Sequence, residues 1–118
     1  MVRTTASTGQ TGEDAALGVY RRRGYRLITR NWRCRIGELD LVLARDDLLV
    51  FCEVKTRRGA AFGAGYEAVT ARKRAKLRAV AEAFLLASAA RPRSTRFDVA
   101  SVSLGPRGAE VELFQDAF

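Results

Sequence analysis

The sequence predicts an α/β fold, a mixed β-sheet flanked by helices with elements in the order α-β-β-β-α-β-β. Three observations predict it. The 118 residues are one domain's worth, and a hydrophobic share of 47% is that of a globular chain. Two strand-like runs, Glu38 to Ala44 and Leu48 to Thr56, flank Asp46-Asp47, the pattern of a tight hairpin. One long amphipathic segment, Thr70 to about Ala90, then separates these runs from further strand-like residues, as a helical crossover does.

Each element has its own signal. Residues 1–11 are small and polar, so a flexible N-terminal tail is expected ahead of a single domain over 12–118. With no apolar run there, neither a signal peptide nor an anchor is expected. Thr11 to Arg23 reads as a helix, with Thr11 as N-cap, Asp14 as its capping-box partner and Gly24 as the stop. Its apolar stripe is Ala16, Leu17 and Tyr20. Tyr25 to Trp32 is rich in strand formers, and Arg35-Ile36-Gly37 makes a turn into the hairpin, giving a three-stranded antiparallel meander. A glycine-rich loop, Gly59 to Gly65, precedes the long helix, whose Leu77, Val80, Ala81, Phe84, Leu85 and Ser88 share one face and which Pro92 ends. Arg96 to Leu104 is a fourth strand, free to run parallel to an earlier one through a right-handed crossover. Gly105-Pro106-Arg107-Gly108 turns the chain into an edge-like strand, Glu110 to Phe114.

Composition removes several chemistries. There is no histidine, which excludes a His general base, a His-zinc site and Ser-His or Cys-His pairs. Two cysteines, Cys34 and Cys52, are too few for a disulfide framework, and a reduced, cytoplasmic protein is expected. Cys52 lies in an apolar run and reads as a small buried hydrophobe. The net charge of +8 favours a polyanionic partner. No segment is long and apolar enough to span a bilayer, so no membrane partner is expected.

The most informative residues are acidic. With Asp46-Asp47 as the turn and Arg45 facing Leu48, Asp40 falls opposite Glu53, and Glu38 opposite Lys55. Facing carboxylates repel and destabilise a strand pair unless a cation lies between them. Glu53 and Lys55 share a face because strand side chains alternate. Two carboxylates a few ångströms apart suit Mg²⁺ (or Mn²⁺), an ion that keeps several waters, and Lys55 beside them suits the attacking water of phosphodiester cleavage. The bland alternative is a solvated charged face with cross-strand pairs. It wins for any one of these residues alone and loses once Asp40 stands opposite Glu53. Glu13 lies on the inward stripe of the first helix, where a carboxylate is costly without a cation, although a first-turn acid also suits the helix dipole.

Arg72, Lys73, Arg74 and Lys76 crowd a helix N-terminus, where basic residues oppose the macrodipole and a bound phosphate reverses the penalty. Lys73 is on the side that leans toward the acids, whereas Arg72, Arg74 and Arg78 read as solvated. Arg21 to Arg23, Arg26, Arg30, Arg33, Arg35, Arg57 and Arg58 are placed to follow a nucleic-acid backbone. Tyr25, Trp32, Phe62 and Tyr66 are candidates to stack on bases, with Trp32 more readily read as core. Asp98 reads as the partner of a neighbouring arginine.

Gly12-Glu13, Gly24-Tyr25, Asn31, Gly37-Glu38-Leu39-Asp40-Leu41, Phe51-Cys52-Glu53-Val54-Lys55-Thr56-Arg57, Phe62-Gly63, Glu67-Ala68-Val69 and Lys73 together resemble the YraN-like family of small bacterial proteins. The resemblance runs from about Gly12 to Val102. That family is similar in fold to the PD-(D/E)XK nucleases, archaeal Holliday junction resolvases among them, which implies a restriction-endonuclease-like sheet. Asp40, Glu53 and Lys55 match the catalytic signature, with Leu39 where the signature has proline, and Glu13 matches the acid on the first helix. The resemblance implies magnesium held by Asp40, Glu53 and the Val54 carbonyl. It also implies catalytic roles for Glu13, Asp40, Glu53 and Lys55, while the basic residues' own positions give the expected phosphate contacts, from Lys73, Arg57, Arg58, Arg72 and Lys76. A DNA substrate in preference to RNA, and a homodimer on two-fold substrates, are expected on the same ground. The rival expectation is a non-catalytic DNA or RNA adaptor using the same basic surface. A third, that Thr70 to Ala90 lies on a membrane, ranks below both because the sheet needs that helix's apolar face.

Overall fold

The structure, a computed structural model, describes residues 8–58 and 70–118. Helix α1 (Thr8–Arg22) leads into strands β1 (Arg26–Arg33), β2 (Glu38–Arg45) and β3 (Leu48–Arg58); helix α2 (Ala71–Ala87) is followed by β4 (Ser94–Gly105) and β5 (Gly108–Phe114). The five strands lie in the order β1-β2-β3-β4-β5. Strand β4 runs parallel to β3, and every other neighbouring pair is antiparallel. This is the expected element order, with the helical crossover delivering the parallel pair. The loop predicted over Gly59 to Gly65, with Phe62, Tyr66 and Glu67-Ala68-Val69, lies outside the described residues, as do residues 1–7.

The helices cover opposite faces of the sheet. Ala16, Leu17 and Tyr20 of α1 pack on Leu41, Leu43, Val50, Cys52, Ala100 and Val102. Val80, Ala81 and Phe84 of α2 pack on Leu39, Val42, Ala44, Leu49 and Phe51. The central strands β2 and β3 are therefore covered on both sides, and they read as near-continuous apolar runs for that reason. Cys52 is buried and burial raises its thiol pKa, which suits the inert packing role expected of it.

Helix α1 begins at Thr8, so Thr11 sits inside it and is not its N-cap. Gly12 and Glu13 are both buried, and a Cβ on Gly12 would overlap the Thr56 side chain on β3. The stop is as expected: Gly24 adopts φ 88, a left-handed conformation that suits glycine. Helix α2 has Thr70 as its N-cap, whose side chain accepts the Lys73 N–H. It closes at Ser88, ahead of the expected end at about Ala90, and the Arg91 guanidinium donates to the carbonyls of Leu85, Ser88 and Ala90, acceptors that the helix end leaves open.

Two aromatic residues considered for base stacking are core instead. Tyr25 is buried edge-on against Tyr20 at 5.2 Å, and Trp32 meets Phe84 edge-on at 5.3 Å. Asp98 is fully buried and takes its arginine, as expected: Arg96 donates to it through Nε at 2.8 Å and Nη2 at 2.9 Å. The Tyr20 hydroxyl at 2.7 Å and the Asp116 N–H at 3.0 Å complete its shell. Burial, with Cys52 and Asp98 beside it, pushes the Tyr20 phenol pKa up and keeps it a donor.

The contact of Gly12 with Thr56 sets how closely α1, and with it Glu13, approaches β3. Gly12→Ala is expected to lose about 1–3 kcal/mol, read by urea unfolding, because backbone and β3 have to separate. The double variant with Thr56→Gly should recover a large part of that loss. Equal stability of wild type and Gly12→Ala would mean that the approach is not tight.

Candidate metal and nucleic-acid site

The site forms where β2 and β3 part. Their ladder runs in the predicted register, from Arg45 opposite Leu48 to Leu41 opposite Cys52, and ends one pair before Asp40 and Glu53. Past that point the Asp40 carboxylate does what a neighbouring strand's carbonyl would do: its Oδ2 accepts the Val54 N–H at 2.8 Å. An unpaired N–H here would be costly, so the bond fixes Asp40 at the mouth of the fork.

Glu13 enters from α1 on the inward stripe, as expected, and is 9% exposed. Its Oε1 accepts from Arg30 Nη2 at 3.1 Å and from Asn31 Nδ2 at 3.2 Å. The cation that offsets its burial is thus Arg30, which also holds Asp14 at 2.8 Å. Neither Arg30 nor Asn31 was assigned to the site from sequence. The available signal was an asparagine in the middle of a strand-like run, a residue that tolerates left-handed backbone.

Glu53 and Lys55 lie on the α2 side of β3, with Lys55 Nζ 3.5 Å from Glu53 Oε1. The Lys73 ammonium reaches the same place from the first turn of α2. The neighbouring Lys55 lowers its pKa, against a smaller opposite effect of Glu53. Lys73 does lean toward the acids. A cleft of about 180 Å³ opens between the Gly37 turn and α2, lined by Gly37, Glu38, Glu53, Lys73, Lys76, Leu77 and Val80. Acids form one wall and lysines the other. Glu38 is not opposite Lys55 as the register suggested. Arg33 Nε donates to it at 2.8 Å, because β2 at that point pairs with β1 and has left β3.

Electrostatics single out Asp40. Burial, then the charge of Glu53, push its carboxyl up from 3.8 to about 7; the Val54 N–H pulls it down, and Glu13 and Glu38 add smaller upward effects. Glu13 has Arg30, Glu38 has Arg33 and Glu53 has Lys55. Asp40 has no ion pair among the described residues. Among those residues no three His, Cys, Asp or Glu side chains are grouped to hold a metal ion. The arrangement brings two carboxylates, Asp40 and Glu53, close enough for the charge of Glu53 to raise the Asp40 pKa. That donor set fits a magnesium or manganese ion, which commonly takes one or two carboxylates and fills its other positions with water and substrate oxygens.

The basic residues divide by position. Arg57, Arg58, Arg72 and Lys76 are exposed at the site's end of the sheet, with Arg58 Nε donating to Thr8 Oγ1 at 3.3 Å. Arg30 and Arg33 are committed to acids. Arg21, Arg22, Arg23 and Arg26 lie at the opposite end, around the start of β1, so they do not join this surface. Arg78, read from sequence as solvated, lies over the Phe97 ring at 5.1 Å. No helix among the described residues is long and apolar enough to cross a membrane.

A family model described as the uncharacterised protein family UPF0102 matches residues 12–102. The chain belongs to the UPF0102 family. A UPF0102 protein of Frankia alni is 46% identical over 118 residues, 99% of this chain and 98% of its own length. One of Moorella thermoacetica is 42% identical over 120 residues, 100% of both chains, and one of Magnetococcus marinus 40% identical over 116, 98% of this chain and 94% of its own. The YraN-like resemblance is therefore correct. Within this UPF0102 fold Glu13, Asp40, Glu53, Lys55 and Lys73 all fall in the matched span.

The raised Asp40 pKa has a definite sign. Its folded value lies above the unfolded one, so the native state binds the extra proton and its stability falls as pH rises from about 4 to about 7. In metal-free buffer Asp40→Asn, which keeps an acceptor for Val54 without the charge, should be more stable than wild type at pH 8 by about 1–3 kcal/mol. At pH 4 that advantage should vanish. Urea unfolding at the two pH values checks it, and a constant difference would contradict the charge argument.

Proposed function

We propose that the protein is a nucleic-acid-binding, divalent-metal-dependent endonuclease that hydrolyses phosphodiester bonds, of DNA in preference to RNA. One observation carries the reading: Asp40 lies within reach of the charge of Glu53 and has no ion pair among the described residues, while each neighbouring acid has one. Asp40, Glu53 and the Val54 carbonyl would hold Mg²⁺ or Mn²⁺. When bound, the ion neutralises charge on the phosphate and acidifies a water.

The chain's own groups supply the rest. The Asp40 hydrogen bond to Val54 keeps one carboxylate in place before substrate arrives. Lys55 stands beside Glu53, where an ammonium orients the attacking water and stabilises negative charge as it develops. Lys73 and Lys76 line the cleft and hold phosphate oxygens, with Arg57, Arg58 and Arg72 farther along the backbone. Glu13 assists from α1 through a second ion or its water. The PD-(D/E)XK resemblance supports the same assignment, and a homodimer acting on two-fold substrates belongs to it.

The expected result is cutting of linear or branched DNA in magnesium, lost in chelator and reduced at least 100-fold in Asp40→Asn and Glu53→Gln, on the order of 3 kcal/mol of barrier. Gel assays on labelled substrates read it. Variants that cut as well as wild type would remove Asp40 and Glu53 from the chemistry. A second reading, a non-catalytic adaptor, draws support from the Arg30 pairing of Glu13, a structural ion pair in its own right. It predicts salt-sensitive nucleic-acid binding that ignores chelator and Glu53→Gln alike.

A further inference from the structure

We infer that Asn31 is a positioning residue for the Glu13 carboxylate, an inference that rests on the metal-site reading above and adds a residue to it. Asn31 lies inside β1 with φ 55. Left-handed backbone within a strand is uncommon for a residue with a side chain, although asparagine bears it better than most. The pairing with β2 continues on both sides of it, Arg30 opposite Leu41 and Trp32 opposite Leu39. The conformation does not end the strand. It changes which way the strand faces.

In a regular strand Arg30 and Trp32 would share a face. Here Arg30 and Asn31 both reach Glu13 on the α1 side, and Trp32 packs against Phe84 on the α2 side. The same inversion appears across the ladder, where Leu41 joins the α1 core and Leu39 the α2 core, with Asp40 between them. The left-handed residue thus places two donors on Glu13 at the level of the sheet where Asp40 leaves the ladder.

The two donors are not equivalent. Both land on Oε1, and the other oxygen, Oε2, takes up neither bond. Arg30 is shared with Asp14, to which it is closer, 2.8 Å against 3.1 Å. Arg30 supplies charge to two acids. Asn31, short and uncharged, supplies direction to one. Groups that orient the carboxylates of a metal site typically change metal affinity 10- to 100-fold when removed.

Glycine separates the backbone role from the amide. Asn31→Gly adopts φ 55 without strain, so the strand and its face inversion are retained while the Nδ2 donor is lost. Manganese binding by calorimetry on the full chain, with thermal unfolding alongside, reads both. Asn31→Gly should unfold within a few degrees of wild type and bind Mn²⁺ about 10-fold or more weakly. Glu13→Gln should weaken binding similarly, and the double variant no further than Glu13→Gln. Wild-type affinity in Asn31→Gly, with wild type itself binding, overturns the Asn31 role and leaves the metal site standing. A wild type that takes up no Mn²⁺ overturns both.

Discussion

The hydrogen bond from the Val54 N–H to the Asp40 carboxylate is the constraint on which the site depends. Two adjacent strands, β2 and β3, pair for five residue pairs and then separate. An N–H stranded at a fork of this kind, partly shielded from water, costs on the order of 1–3 kcal/mol if nothing accepts it. The carboxylate accepts it and is thereby fixed. Burial and the charges of three nearby acids work against an ionised carboxyl there, which is why its pKa rises to about 7. The fold thus holds a group in place that electrostatics alone would discharge.

Around that group the acids are neutralised one by one from different elements. Arg30 of β1 serves Glu13 of α1, Arg33 of β1 serves Glu38 of β2, and Lys55 of β3 serves Glu53 of the same strand. Asp40 stands at the centre of this set and carries no such partner among the described residues. A site that takes up a divalent ion needs uncompensated negative charge at one point and oxygen donors beside it. The close approach of Gly12 to Thr56 brings one acid in from the α1 layer, and the Gly37 turn against Lys76 and Val80 brings α2 and its lysines in from the other.

Much of this was legible in the sequence. Periodicity identified both helices and all five strands, and the Asp46-Asp47 turn set the register that brings Asp40 near Glu53, because two-residue hairpins leave little freedom. Lys73 leaning inward followed from its position on the stripe with Leu77 and Val80. What escaped were features that break periodicity. Asn31 reverses the faces of β1, a change carried by a single dihedral that no alternation pattern reports. Glu38 went to Arg33 because the fork separates it from Lys55, and forks are invisible to a register extended by counting. Thr11 lies inside α1 although it carries a local capping signal, because a side chain of the right type marks a helix start only where the chain upstream is not already helical. The division of the arginines between two ends of the sheet depends on the fold as a whole, so composition alone could only count them.

The most direct measurement is anomalous diffraction from crystals soaked in Mn²⁺. The account predicts a peak at the fork, touching carboxylate oxygens of both Asp40 and Glu53. Strong peaks confined to other parts of the molecule, with the fork clear at saturating Mn²⁺, would contradict it.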